Sequence, residues 1–212
     1  MDENIQKNVD KENKIHKYSV FFSDDYFVRE TLLKTGGNMF AITKHYLFLS
    51  YQEAMADDHL KLMAADLVDS KLQLRSVELS FSMLKEHSYT IVESSNMRVF
   101  MHISHSTHPL EYGHVYVTDS RATRLDKSLE FNVRNVYGYC DFESIEGVPN
   151  FYIANHYDEE SLKLARFQAQ NAVRENIKGT DITDYLLIQS KITFDKGRMW
   201  QNIAPPKSKE LC

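Results

Sequence analysis

The spacing of apolar residues changes character along the chain. In the first third it favours helices. Ser23 offers a capping hydroxyl, and Asp24 and Asp25 stand where a helix dipole favours negative charge. Phe27, Val28 and Leu32 follow as a short apolar stripe that Gly36 and Gly37 would stop. Phe40, Lys44, Leu47, Phe48, Tyr51 and Met55 then recur at helical spacing. After Asp57 and Asp58, so do Leu60, Met63, Ala64, Leu67 and Val68. These segments predict helices.

From Leu72 the period shortens to two. Leu72 and Leu74, then Val77, Leu79, Phe81 and Met83, alternate across a slip at Arg75-Ser76, although one helix over 65–86 also fits. Tyr89–Glu93 and Met97–Ile103 read as a hairpin, and His114–Thr118, Leu129–Tyr139 and Val148–Ala154 as further strands. Asp158 opens a helix over 158–178. Leu162, Ala165, Ala169, Ala172, Val173 and Ile177 form its narrow stripe, and Gly179 stands beyond its end. Tyr185–Phe194 and Met199–Ile203 read as a final hairpin about Asp195-Lys196-Gly197. The order predicts an α+β fold: N-terminal helices packed on a mostly antiparallel sheet, one long C-terminal helix and a closing hairpin. Residues 1–17 read as a disordered lead-in, 18–204 as a single domain and 205–212 as a flexible tail, with no linker and no internal repeat inside the domain.

Composition changes little in this picture. Apolar residues make up 42% and charged residues 26% of 212 residues, enough for a substantial core. A formal charge of −5 supplies no electrostatic reason to expect nucleic acid or an anionic membrane. The polar N-terminus lacks an apolar core of signal-peptide length, no run is long enough to span a bilayer, and the two cysteines stand far apart. Together these predict a soluble cytoplasmic protein. Homo-oligomers are compatible with this composition.

Candidate chemistry concentrates between Arg98 and Asp119. His102, His105, His108, Glu111 and His114 recur at every third position. On a regular strand a step of three changes face, so these groups converge only if the chain bends after Ser104. Pro109 and Gly113 favour such a bend. A hairpin there would bring His105 and His114 together, with His108 and Glu111 on the loop. That set suits zinc or another first-row divalent metal, with Glu111 as a fourth ligand or general base. Histidines on a solvated hairpin also need no metal, and the spacing matches no established zinc motif. In the next connection Arg121, Arg124 and Lys127 could hold a small anion through paired hydrogen bonds. Solvated loop charge explains them equally well. Cys140, among acidic neighbours, makes a poor nucleophile.

No nucleotide fingerprint, nucleophile elbow or CxxC motif is present. The sequence therefore favours a module that binds a small anionic ligand or a protein partner. A metal-dependent hydrolase built on His105, His108, Glu111 and His114 is the first alternative, and a structural or assembly component the second.

Overall fold

A computed structural model of the chain describes residues 17–53, 59–68, 72–81, 84–85, 88–106 except 96, 112–135, 137–174 and 182–204. The segments expected to be a disordered lead-in and a flexible tail lie outside this range, apart from Lys17. The described chain is antiparallel β-structure with a single α-helix, grouped into two compact units. The first comprises residues 1–87 and Arg121–Arg124, the second Ser88–Ser120 and the chain from Leu125.

In the first unit, β1 (Tyr18–Phe22), β2 (Thr31–Ile42), β3 (Tyr46–Tyr51), β4 (Lys61–Asp66) and β5 (Arg75–Ser76) form a five-stranded sheet in chain order, and β6 (Glu78–Leu79) follows. Among the described residues the expected N-terminal helices do not form. The α+β reading is corrected here: the stretches with helical spacing are strands, and the sheet is antiparallel throughout. The physical reason lies in β3. All six residues of YLFLSY are buried. A strand covered on both faces reads as a continuous apolar run, and period alone cannot tell it from a buried helix. Its aromatics favour a strand. Thr43 closes the tight turn into it. Its N–H donates to the Tyr46 carbonyl at 2.8 Å, and its Oγ1 accepts the Tyr46 N–H at 3.0 Å. Gly36, expected to stop a helix, sits inside β2 with φ +73° and 2.8 Å between its would-be Cβ and the Gln52 carbonyl. It makes a bulge, and the β2–β3 register shifts beyond Gly37.

The capping chemistry read at Ser23 is present, but it closes a turn. Ser23 Oγ accepts the N–H of Phe27 at 2.8 Å, and Asp25 Oδ1 accepts that of Arg29 at 2.9 Å. Tyr26 and Phe27 are left-handed, with φ 58° and 64°. The same device recurs far along the chain. Thr193 Oγ1 accepts the Gly197 N–H at 3.1 Å, Asp195 Oδ1 accepts the Met199 N–H at 2.9 Å, and Lys196 and Gly197 have φ 65° and 76°. No repeat was expected from the sequence. The recurrence is confined to a Ser/Thr-x-Asp turn whose other positions differ.

In the second unit the sheet runs β14-β13-β12-β10-β9-β8-β7, with β11 beside β12. The strands are β7 (Tyr89–Ser95), β8 (Arg98–Ser106), β9 (Tyr112–Thr118), β10 (Arg124–Val133), β11 (Phe142–Ser144), β12 (Tyr152–Tyr157), β13 (Ile188–Thr193) and β14 (Gln201–Asn202). The expected β7–β8 and β13–β14 hairpins form. Phe100, Val115, Leu129, Phe142, Tyr152 and Ala154 make one core cluster. Helix α1 (Glu159–Arg174) buries Leu162, Ala165 and Ala169. Leu162 joins Tyr112 and Tyr157 in a second cluster. Asp158 caps the helix, its Oδ1 accepting the Ser161 N–H at 3.0 Å.

Candidate binding grooves and the histidine hairpin

The fold-back after Ser104 occurs. β8 and β9 pair antiparallel, Ile103 opposite His114 and Ser104 opposite Gly113, with a register shift before Ser106. That shift swings His105 onto the His114 side, and the two rings lie 4.6 Å apart between centroids. His105 Nε2 and the Tyr116 hydroxyl are hydrogen-bonded at 3.0 Å. His114 Nδ1 accepts the N–H of Phe131 at 3.0 Å. A neutral ring that accepts at Nδ1 carries its proton on Nε2, the nitrogen a metal would otherwise take. His108 and Glu111 lie outside the described residues. Among the described residues no group of three His, Cys, Asp or Glu side chains is placed to hold a metal ion.

Burial dominates the electrostatics of this hairpin. It lowers the pKa of His105 and pushes that of His114 down to about 4, with the charge of His105 adding to the second shift. It raises the Tyr116 hydroxyl to about 12. His102 points to the other face, where it is fully buried, and neither ring nitrogen finds a hydrogen-bond partner among the described residues. Its pKa falls to about 3, first through burial and then through the Arg134 charge. Gly113 makes room for this ring, because a Cβ there would stand 2.4 Å from His102 Cε1. Cys140 is likewise a weak nucleophile, its thiol pushed up to about 11. Burial is the main cause, and Asp141, its acidic neighbour, contributes least.

The basic connection is divided between the units. Arg121 and Arg124 are exposed in the first, and Lys127 is an exposed residue of β10 in the second, ion-paired with Glu130.

Two concavities went unread in the sequence. In the first unit, β4 and the segment carrying β5 and β6 flank an open cavity of about 590 Å³. Tyr51, Leu60, Leu62, Val77 and Leu84, all buried, make its apolar lining. Its frame is backbone: the Val77 N–H donates to Leu62 at 2.9 Å, and that of Leu60 to Leu84 at 2.8 Å. The Glu53–Lys61 ion pair also lines it. In the second unit, β10 and β12 share one described pairing, Asn132 with His156. A groove of about 370 Å³ lies along β10 there, with Lys191, Arg198 and Trp200 among its lining residues. The cavity escaped the sequence reading because β3 and β4, which supply Tyr51 and Leu62, carry apolar residues at helical spacing. The groove escaped because its members are scattered from Lys127 to Trp200.

Residues 2–212 match the family model Sortilin-Vps10, described as sortilin, neurotensin receptor 3. The chain belongs to the Sortilin-Vps10 family. It is similar to vacuolar protein sorting/targeting protein 10 of Pyricularia oryzae, 28% identical over 173 residues that cover 80% of this chain and 10% of the relative. The corresponding protein of Talaromyces stipitatus is 24% identical over 195 residues, 90% of this chain and 12% of the relative. Vacuolar protein sorting/targeting protein PEP1 of Saccharomyces cerevisiae is 29% identical over 125 residues, 58% of this chain and 7% of the relative. The chain thus spans about a tenth of the length of these relatives. The Sortilin-Vps10 domain is of β-propeller type, an all-β architecture of antiparallel sheets rather than helices packed on one sheet. The cytoplasmic assignment is overturned by relatives named for vacuolar sorting and targeting. It rested on a missing leader and sparse cysteine, and neither speaks for compartment in a chain that spans a tenth of its relatives. No helix among the described residues is long and apolar enough to cross a membrane.

Proposed function

We propose that this chain is a protein-binding module of a sorting receptor, taking segments of protein cargo on the lumenal side of a trafficking membrane. The observation that carries the reading is the Sortilin-Vps10 match over residues 2–212, together with relatives named for vacuolar sorting. The cavity lined by Tyr51, Leu60, Leu62, Val77 and Leu84 suits the role. It sets apolar side chains beside backbone hydrogen bonds and an ion pair, the make-up of a pocket that orients a partner's side chain through apolar and polar contacts together. The histidine hairpin keeps its imidazoles neutral, with His105 bonded to Tyr116 and His114 to Phe131, which supports a structural role for it.

The test is selection of random displayed peptides on the purified chain, followed by calorimetric titration of enriched sequences and their scrambled versions. Enriched peptides are expected to bind with micromolar affinity, about −8 kcal/mol. Leu62→Lys, which puts a charge on the apolar lining, is expected to abolish binding. Val77→Ala, a smaller change, is expected only to weaken it. Failure to enrich any sequence above its scrambled control contradicts the reading.

A further inference from the structure

The groove on β10 has a feature its structural role does not explain. His156 is 8% exposed and lines it, yet its Nε2 has no hydrogen-bond partner among the described residues. A buried polar atom left unpaired costs about 1–3 kcal/mol, and such an atom beside a groove points to a missing group. The charges around it say what that group is. Of the acids lining the groove, Glu130 is paired with Lys127, and Glu159 with Lys163 at 3.0 Å. Lys191 and Arg198 form no ion pair among the described residues. The Asp195 carboxylate near Arg198 is held by the backbone N–H groups of Arg198 and Met199. Lys191 is half-buried, and its charge reaches both Glu130 and His156. Trp200 contributes an apolar wall, fixed by its Nε1–H bond to Ser128 Oγ at 3.2 Å and by edge contact with Phe142 at 5.9 Å.

We propose that this groove binds a Glu or Asp side chain of a protein partner. The carboxylate lies between Lys191 and Arg198 and accepts a hydrogen bond from His156 Nε2, and the carbons of the acidic side chain pack on Trp200. A carboxylate is the ligand that answers two unpaired cations and an unpartnered imidazole nitrogen together, provided the ring carries its proton on Nε2 in the complex. The inference rests on the protein-binding reading and adds a second contact of defined chemistry.

Trp200 is the one tryptophan of the chain, so its fluorescence reports on this groove. The probe is an acetylated, amidated peptide with a short run of glutamates, titrated against the full chain. The same peptide with glutamines, and that glutamine peptide with a free carboxyl terminus, are run beside it. The glutamate peptide is expected to give a saturable change, and both glutamine peptides to bind roughly tenfold more weakly or worse. A Lys191→Gln/Arg198→Gln variant should lose roughly tenfold in affinity, while Lys191→Arg retains it. Equal binding of glutamate and glutamine peptides overturns the proposal, as does an unaffected double variant that melts like the parent. Preference for the free terminus overturns the choice of a side-chain carboxylate. Display-enriched peptides that bind while the glutamate peptide does not would sink this inference alone. Binding by neither would sink the protein-binding reading with it.

Discussion

His105 and His114 stand ring against ring on the neighbouring strands β8 and β9, 4.6 Å between centroids. Two imidazoles so close stay neutral, and their depressed pKa values tie stability to pH. The unfolded chain protonates these residues near 6.5, whereas folded His114 takes its proton only near 4 and His102 near 3. The unfolded state therefore binds more protons across this window, and stability rises with pH there. The histidine contribution is complete above about 6.5 and is lost as pH falls toward 4. Urea midpoints at pH 7.5 and 5.0 should show a clear fall on acidification. His114→Gln, whose amide oxygen can still accept the Phe131 N–H, should make that fall smaller. A midpoint unchanged between the two pH values contradicts the assignment.

The two Ser/Thr-x-Asp turns predict opposite responses at one position. Gly197 occupies the second left-handed site with φ 76°, and a Cβ there would meet Ser128 Oγ at 2.6 Å and the Phe100 ring at 2.7 Å. Gly197→Ala should destabilise by about 2 kcal/mol, combining contact and backbone strain. Thermal melting checks this, and a Tm within a degree or so of the parent counts against it.

The equivalent site in the first turn holds Phe27, 72% exposed at φ 64°. A non-glycine residue there carries about 1 kcal/mol of strain that no described packing offsets. Phe27→Gly should leave stability unchanged or raise it by about 0.5 kcal/mol, the released strain exceeding the entropy of the added glycine. Val28→Gly, at a site without positive φ, should lower it. Equal losses in the two variants would refute the strain.

Asp195 Oδ1 accepts the N–H groups of both Arg198 and Met199 at 2.9 Å. Asp195→Ala should cost about 1–2 kcal/mol and loosen the seat of Trp200, seen as a red-shifted emission maximum. Asp195→Asn, which keeps an acceptor, should recover most of it. An unshifted spectrum for the alanine variant would separate the turn from Trp200.

These turns show what the chain's pattern conveys and what it hides. Alternation at Tyr89–Glu93, Met97–Ile103 and His114–Thr118 was legible because one face of each strand differs from the other. The alanine stripe of α1 was legible because a helix packed on a sheet needs small residues. β3 was not legible, since burial on both faces erases the period of two, and chance spacing from Phe40 to Met55 imitated a helix. The approach of His105 to His114 was expected from a fold-back after Ser104, and the register shift before Ser106 brings it about. The roles of those rings did not, because which nitrogen carries the proton depends on Phe131, seventeen residues beyond His114. His156, Lys191 and Arg198 meet only through strand pairing, and no local spacing encodes that.

The most direct test of a cargo-binding module maps where cargo sits. A display-enriched peptide carrying a benzophenone in place of its central apolar residue would be photo-crosslinked to the full chain and the attachment points read by mass spectrometry. The account predicts crosslinks at Tyr51, Leu60–Leu62 and Val77–Leu84, removed by Leu62→Lys. Crosslinks scattered over the surface, or persisting undiminished in that variant, would contradict it.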